Sequence, residues 1–166
     1  MNDTSARGTR LFNTQDDVIL LILRLAIGIV ILPHGAQKLL GAFGGYGPDG
    51  TLAYFASLGI PTLLGWLAII AEFFGGLALI GGFLGRIAAF GTACVMVVAV
   101  MTTHINVGFF MNWGGQLKGE GFEYHILFVA IALVIMIRGS GAASLDGLIA
   151  QRIERTGRRI AATRTT

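Results

Sequence analysis

The sequence predicts an all-α integral membrane protein: a bundle of four transmembrane helices with glycine-rich outer loops and a C-terminal basic amphipathic helix. Three observations carry that reading. Charged residues make up 13% of the 166-residue chain and hydrophobic ones 54%, with mean hydropathy +0.74, against about 25% charged in ordinary soluble domains. Apolar runs at about 18–40, 62–84, 87–105 and 122–138 approach or exceed the length needed to cross a hydrocarbon core of about 30 Å. Beyond residue 144, leucines and isoleucines interleave with arginines at helical spacing, the pattern of a helix lying on an anionic membrane surface.

Residues 1–15 are polar, carry Arg7 and Arg10 and show no apolar period, so they read as a flexible cytoplasmic tail. Asp16 and Asp17 stand where a helix N-terminus favours negative charge, and Val18 opens an apolar run to Leu32 that extends to Leu40. No small-residue cleavage site comes after the run, which is therefore a retained span and not a signal peptide. Arg24 sits inside it, and an arginine in hydrocarbon must face protein, water or headgroups. Pro33 should loosen the helix at His34-Gly35-Ala36-Gln37-Lys38.

From Gly41 to Pro61 the chain is rich in glycine, but no lysine stands beside a serine or threonine, so a phosphate-binding P-loop is not supported. The piece around Tyr54 and Phe55 is too short to span and reads as an interfacial helix. In the second run, helical spacing puts Glu72, Gly75, Gly76, Leu79 and Gly82 on one face, so Glu72 should point into the bundle. Gly85-Arg86 is a tight turn into a third span that contains Cys94 and ends at His104. A single thiol forms no internal disulfide and should pack as a small buried hydrophobe. The loop 106–122, with Phe109, Phe110 and Trp113, has the composition of an ordered interfacial cap. Glu123-Tyr124-His125 opens the fourth span, which closes at Arg138. Ser144 then caps the last helix, with Leu145, Leu148, Ile149, Ile153 and Ile160 on one side and Arg152, Arg155, Arg158 and Arg159 largely on the other. The chain thus divides into a tail (1–15), one membrane domain (16–140) and the basic helix with its tail (144–166).

With four spans, both tails and the Gly85-Arg86 turn share a side. That side holds Arg7, Arg10, Arg86, Arg138, Arg152, Arg155, Arg158, Arg159 and Arg164, whereas the other holds Lys38 and Lys118. The positive-inside rule places both termini in the cytoplasm. The basic character is an orientation and lipid signal, with no nucleic-acid partner implied. The same topology gathers His34, Gln37, Lys38, His104, Glu123 and His125 near the outer leaflet. Arg24 and Glu72 lie deeper, and as opposite charges in low dielectric they are expected to pair or to share one intramembrane polar network.

His34-Gly35-Ala36-Gln37-Lys38 after an Arg24-containing span, Glu72-Phe73-Phe74-Gly75-Gly76, His104 with Gly108-Phe109-Phe110, and Glu123 opening the fourth span resemble the DoxX family over roughly Val18 to Asp146. That resemblance implies a bacterial four-helix protein of the cytoplasmic (inner) membrane. Some relatives are associated with thiosulfate oxidation coupled to quinone reduction and others with oxidative-stress complexes. Quinone chemistry needs an apolar slot, hydrogen-bond donors and proton-exchanging groups. His34, His104 and Glu123 are the candidates for proton transfer. Gln37 and Lys38 are the donors, and Phe109, Phe110 and Trp113 the walls. The chain carries no evident electron carrier of its own, so a protein partner or the substrate must bring the electrons, and a partner protein is the expected source. The competing reading is a non-catalytic scaffold or assembly factor that docks soluble enzymes, its basic end bound to lipid or partner. A haem between His34 and His104 has no attachment sequence to support it, and no metal-ligand motif stands out. An ion pathway would require homo-oligomerisation to enclose it.

Overall fold

The computed structural model describes residues 12–163, and among these every regular element is helical. Arg7, Arg10 and Arg164, and most of the expected N-terminal tail, lie outside the described residues, as do the side chains of Arg158 and Arg159. Helix α1 is Val18–Leu40, α2 Gly47–Ser57, α3 Thr62–Gly81, α4 Gly85–Ala99, α5 Glu123–Arg138 and α6 Leu145–Thr163; a π-helical turn, Val100–His104, extends α4. Local chemistry fixes the ends. Asp17 accepts the Ile19 N–H at 2.8 Å to start α1, and Gly41, in the left-handed region at φ 67°, ends it. Ser144 accepts the Gly147 N–H at 3.1 Å to start α6, an ordinary N-cap.

Helix α1 packs antiparallel on α3, α3 on α4, α4 on α5, and α5 returns to α1. Between them lies a core of Ile27, Ile31, Leu79, Met96, Phe128 and Ile135. The outer faces are as apolar as the core: Leu63 is 70% exposed, Ile137 72% and Ile19 67%. Surfaces of that kind are stable in hydrocarbon and not in water. Helices α1, α3 and α4 with its π turn are long and apolar enough to cross a membrane. Helix α5 has 16 residues, about 24 Å at ~1.5 Å per residue.

Several expectations need correction. Pro33 does not loosen α1, which runs unbroken to Leu40, because its last turns are clamped to α3. The second run ends at Gly81 and not at Leu84, since Gly82 takes the left-handed conformation (φ 65°) and turns the chain. Cys94 is exposed on the lipid-facing side of α4 and not buried, because the small residues Ala89 and Ala93 occupy the inward positions instead. The end of the N-terminal tail is held in place: Arg86 donates to Asn13 O at 3.0 Å, Gly141 N–H donates to Thr14 Oγ1 at 2.6 Å, and Arg138 donates to Gln15.

The expected pairing of Arg24 with Glu72 does not occur. The antiparallel register sets Arg24 against the C-terminus of α3, about two turns away from Glu72. Arg24 is fully buried, and its guanidinium is spent on carbonyl oxygens. Nε donates to Ser140 O (2.8 Å), Nη1 to Leu79 O and Ile80 O (2.5 Å each), and Nη2 to Ala142 O and Ala143 O (3.3 Å each). A helix C-terminus leaves carbonyls without intrahelical donors and carries partial negative charge, so a cation there satisfies both needs. Its counter-charge is Asp146, 1% exposed. That carboxylate accepts the Leu84 and Gly85 N–H groups (2.8 and 3.0 Å) at the start of α4, together with the Ser140 hydroxyl (2.6 Å). Arg86 likewise closes α5, donating to Met136 O and to Ile137 O, the latter at 2.7 Å.

Arg24→Met is expected to strip donors from several buried carbonyls and leave Asp146 without its cation, costing about 3 kcal/mol or more. Thermal unfolding in detergent and accumulation in membranes should both fall sharply. Arg24→Lys should recover only part, because an ammonium has fewer donors than this site has acceptors. Glu72→Gln should leave the Arg24 end intact.

Candidate functional site

The opposite end of the helices holds the chemistry, and glycine makes it possible. A Cβ on Gly35 would collide with the Phe73 backbone, and one on Gly76 would press on Leu32 at 3.1 Å. With hydrogen at both positions, α1 lies directly on α3. Lys38 Nζ then reaches Glu72 Oε2 at 2.5 Å, with the lysine side chain 25% exposed and the glutamate 4%. Glu72, Gly76 and Leu79 do share the buried face of α3. The partner Glu72 meets from that face is Lys38 of α1, toward the opposite end of that helix from Arg24.

The π turn at Val100–His104 ends α4. Inserting an extra residue into a turn rotates the side chains beyond it, and such turns recur at functional sites. Here it carries His104, whose ring lies 4.3 Å from that of His125 on α5. His104 Nδ1 is 2.7 Å from Glu120 O; a carbonyl only accepts, so Nδ1 carries the proton. Tyr124 stacks edge-on beside His125 at 5.4 Å. Its hydroxyl and His125 Nδ1 are buried with no hydrogen-bond partner.

The loop 105–122 is held by acidic side chains. Glu123 Oε1 accepts the Met111 N–H at 2.9 Å, Glu120 Oε2 accepts the Asn112 N–H at 2.8 Å, and the Asn112 side chain bonds Leu117 N–H and O at 2.9 and 3.0 Å. The loop is therefore an ordered element. Phe109 packs edge-on against Phe110 and Phe122, while Trp113 projects outward, 89% exposed.

An apolar groove of about 1340 Å³ runs along α3 and α4, with Leu67, Ile70, Phe74, Gly91, Cys94 and Val98 among its walls. Lys38, Glu72, Thr102, Thr103 and His104 also line it, giving it polar groups on otherwise greasy walls. Of the residues singled out from the sequence, Lys38 and His104 line this groove, and Glu72 joins them. Gln37 is directed to its own loop, with Nε2 3.5 Å from Phe43 O. Glu123 serves the Met111 N–H. Phe109, Phe110 and Trp113 lie in the loop and not among the groove's lining. His34 is exposed near the end of α1. Among the described residues, no three histidine, cysteine, aspartate or glutamate side chains cluster as metal ligands.

Sequence reasoning overlooked Asp146 and Ser140, and it undervalued Tyr124. A lone acid two residues after a capping serine was the available sign of Asp146. Nothing in the sequence marked Tyr124 beyond its place beside His125.

The DoxX family model matches residues 19–105, just over half of the chain. A curated protein of Bacillus subtilis (strain 168), named "Putative oxidoreductase CatD", is 26% identical over 137 residues, covering 82% of this chain and 91% of that protein. No solved structure matches the chain significantly.

Breaking a buried pair from one side costs more than removing it whole. Lys38→Met should therefore lower unfolding stability by about 2 kcal/mol, below the ~3–5 kcal/mol of a fully buried pair because Lys38 retains some exposure. Lys38→Met combined with Glu72→Leu should restore most of that loss. Equal destabilisation in the single and double variants would show that the pair is energetically idle.

Proposed function

The chain belongs to the DoxX family, and from that premise we propose that it is the membrane subunit of an oxidoreductase system whose apolar groove receives a quinone. The observation that carries this reading is the combination of one large apolar groove with an ion pair, two threonines and an imidazole along its wall. An aromatic dione or diol needs both: hydrocarbon for its ring and tail, and a few placed polar groups for its oxygens. Lys38 would donate to a ring oxygen and hold negative charge on it, while His104, with Nδ1 committed to Glu120 O, offers Nε2 for a proton. When bound, a quinone supplies two-electron redox chemistry. The side chains themselves orient its head, exclude water and exchange protons. Electrons come from a partner protein, in keeping with the oxidoreductase name of the Bacillus subtilis relative.

In this reading α5 is the fourth span, completing a four-helix bundle in the bacterial inner membrane. Arg86 and Arg138, at the Arg24 end, face the cytoplasm with both termini. Helix α6 lies along the inner leaflet, its exposed Arg152 and Arg155 against anionic headgroups.

A scaffold that docks soluble enzymes is the second reading. It is favoured by the polar atoms already spent within the fold, Glu123 on Met111 and Gln37 toward Phe43, and by the exposed stretch 151–157 of α6. The two readings part on one titration. Purified full-length protein is expected to bind a decyl-substituted benzoquinone saturably, with affinity reduced at least tenfold by Lys38→Met and by His104→Phe. Partitioning without saturation, or binding indifferent to both substitutions, would sink the quinone reading and leave the scaffold.

A further inference from the structure

Glu72 has an acceptor that the fold does not use. Its Oε2 takes the Lys38 ammonium at 2.5 Å, and among the described residues no donor reaches Oε1. The neighbouring helices explain why. From α1 the residue packed on this stretch of α3 is Gly35, which has no side chain to offer. From α4, a Cβ on Gly91 would meet Ala71 at 3.5 Å, and one on Gly75 would meet Thr92 at 3.2 Å, so residues 88–92 lie level with Glu72. Their one side-chain hydroxyl, that of Thr92, is spent on Ala88 O and Ala89 O at 2.9 and 3.2 Å. Glu72 is 3% exposed, yet it lines the apolar groove. A carboxylate in such surroundings is costly wherever its lone pairs go unmatched, and lipid tails carry no donor. The missing hydrogen bond is one that an occupant of the groove can supply.

We propose that Glu72 determines which oxidation state the groove prefers: its Oε1 accepts a hydrogen bond from a hydroxyl of the reduced ligand, so the site holds a quinol more tightly than the matching quinone. The inference rests on the quinone reading and adds the group that tells the two forms apart. A carboxylate only accepts and an ammonium only donates. A quinol hydroxyl matches both members of the ion pair, giving its proton to a hydrogen bond with Glu72 and taking one from Lys38 on its oxygen. A quinone carbonyl can use Lys38 alone, and it brings its lone pairs toward the carboxylate. His104, which also lines the groove, works in the same direction. With Nδ1 protonated against Glu120 O, its Nε2 is an acceptor, suited to a hydroxyl and not to a carbonyl. Binding makes and breaks no covalent bond and moves no electron. Holding the quinol more tightly makes the bound quinone a stronger oxidant by the same factor, which favours electron flow from the partner protein into the groove.

The test is a ratio of two dissociation constants, measured by anaerobic calorimetric titration of full-length protein in detergent with a decyl-substituted benzoquinol and with the matching benzoquinone. Wild-type protein is expected to bind the quinol at least about tenfold more tightly, as a site does when the wrong ligand leaves its polar group unpaired. The quinol dimethyl ether keeps the ring and tail but has no O–H, and it should bind no better than the quinone. Glu72→Gln replaces the acceptor with a carboxamide that can donate, so the preference should vanish or reverse. Lys38→Met combined with Glu72→Leu removes both polar groups without stranding either; it should weaken both ligands and also lose the preference, so the proposal does not hang on one variant's folding. A general loss of structure would weaken both ligands alike and leave their ratio unchanged. Equal affinities in wild type, an ether that matches the quinol, or the wild-type ratio retained in either variant overturns the role of Glu72 while leaving a quinone in the groove. If none of the three compounds binds saturably, the quinone reading itself fails and this inference falls with it.

Discussion

A charge that can neither leave the membrane nor go unsatisfied constrains everything else in this fold. Arg24 is fully buried, and its donors reach carbonyls from the end of α3 and from the segment between α5 and α6. Asp146, behind it, ties the start of α4 to the same knot. One cation on α1 and one anion on α6 thereby tie together the end of α3, the segment between α5 and α6, and the start of α4. Each helix terminus there has orphan groups that lipid would not satisfy, and the side chains of Arg24, Arg86 and Asp146 supply what water would in a soluble protein. Burial of these ions is tolerable because nearly every donor and acceptor has a partner.

The rigid end leaves the other end free to carry function. Glycines at positions 35 and 76 let α1 and α3 touch along their backbones, so the Lys38–Glu72 pair forms within a mostly apolar wall. The π turn at the end of α4 aims His104 at His125, and the loop, clasped by Glu120 and Glu123, holds His104 from outside. The groove beside them is a long apolar slot with polar groups along part of its wall. That pairing of hydrocarbon and proton-exchanging groups is what the proposed quinone handling draws on.

The polar layer was legible in outline because histidine, lysine and glutamate stand out at the ends of apolar runs. Its wiring was not. Arg24 and Glu72 are natural partners by charge, yet register separates them by about two helical turns, a quantity that hydropathy does not contain. Glu123 reads as a proton-transfer group from its position, and the structure adds that one oxygen of its carboxylate accepts a backbone N–H of the adjoining loop. Cys94 reads as a core residue from its apolar neighbours. In a membrane protein, though, lipid-facing and core-facing positions have the same composition, so inside and outside are not distinguished by hydrophobicity alone.

By itself the sequence determined the class of protein: the scarcity of charge and the lengths of the apolar runs require helices in hydrocarbon, since backbone polar groups must be satisfied within each segment. Asp17 and Ser144 also announced helix starts through local chemistry. Only the tertiary structure decided which charges meet, which faces pack and where the groove lies. Those depend on the antiparallel register of α1 against α3 and on the close approach at Gly35 and Gly76, which join residues far apart in the chain and are set by packing between helices.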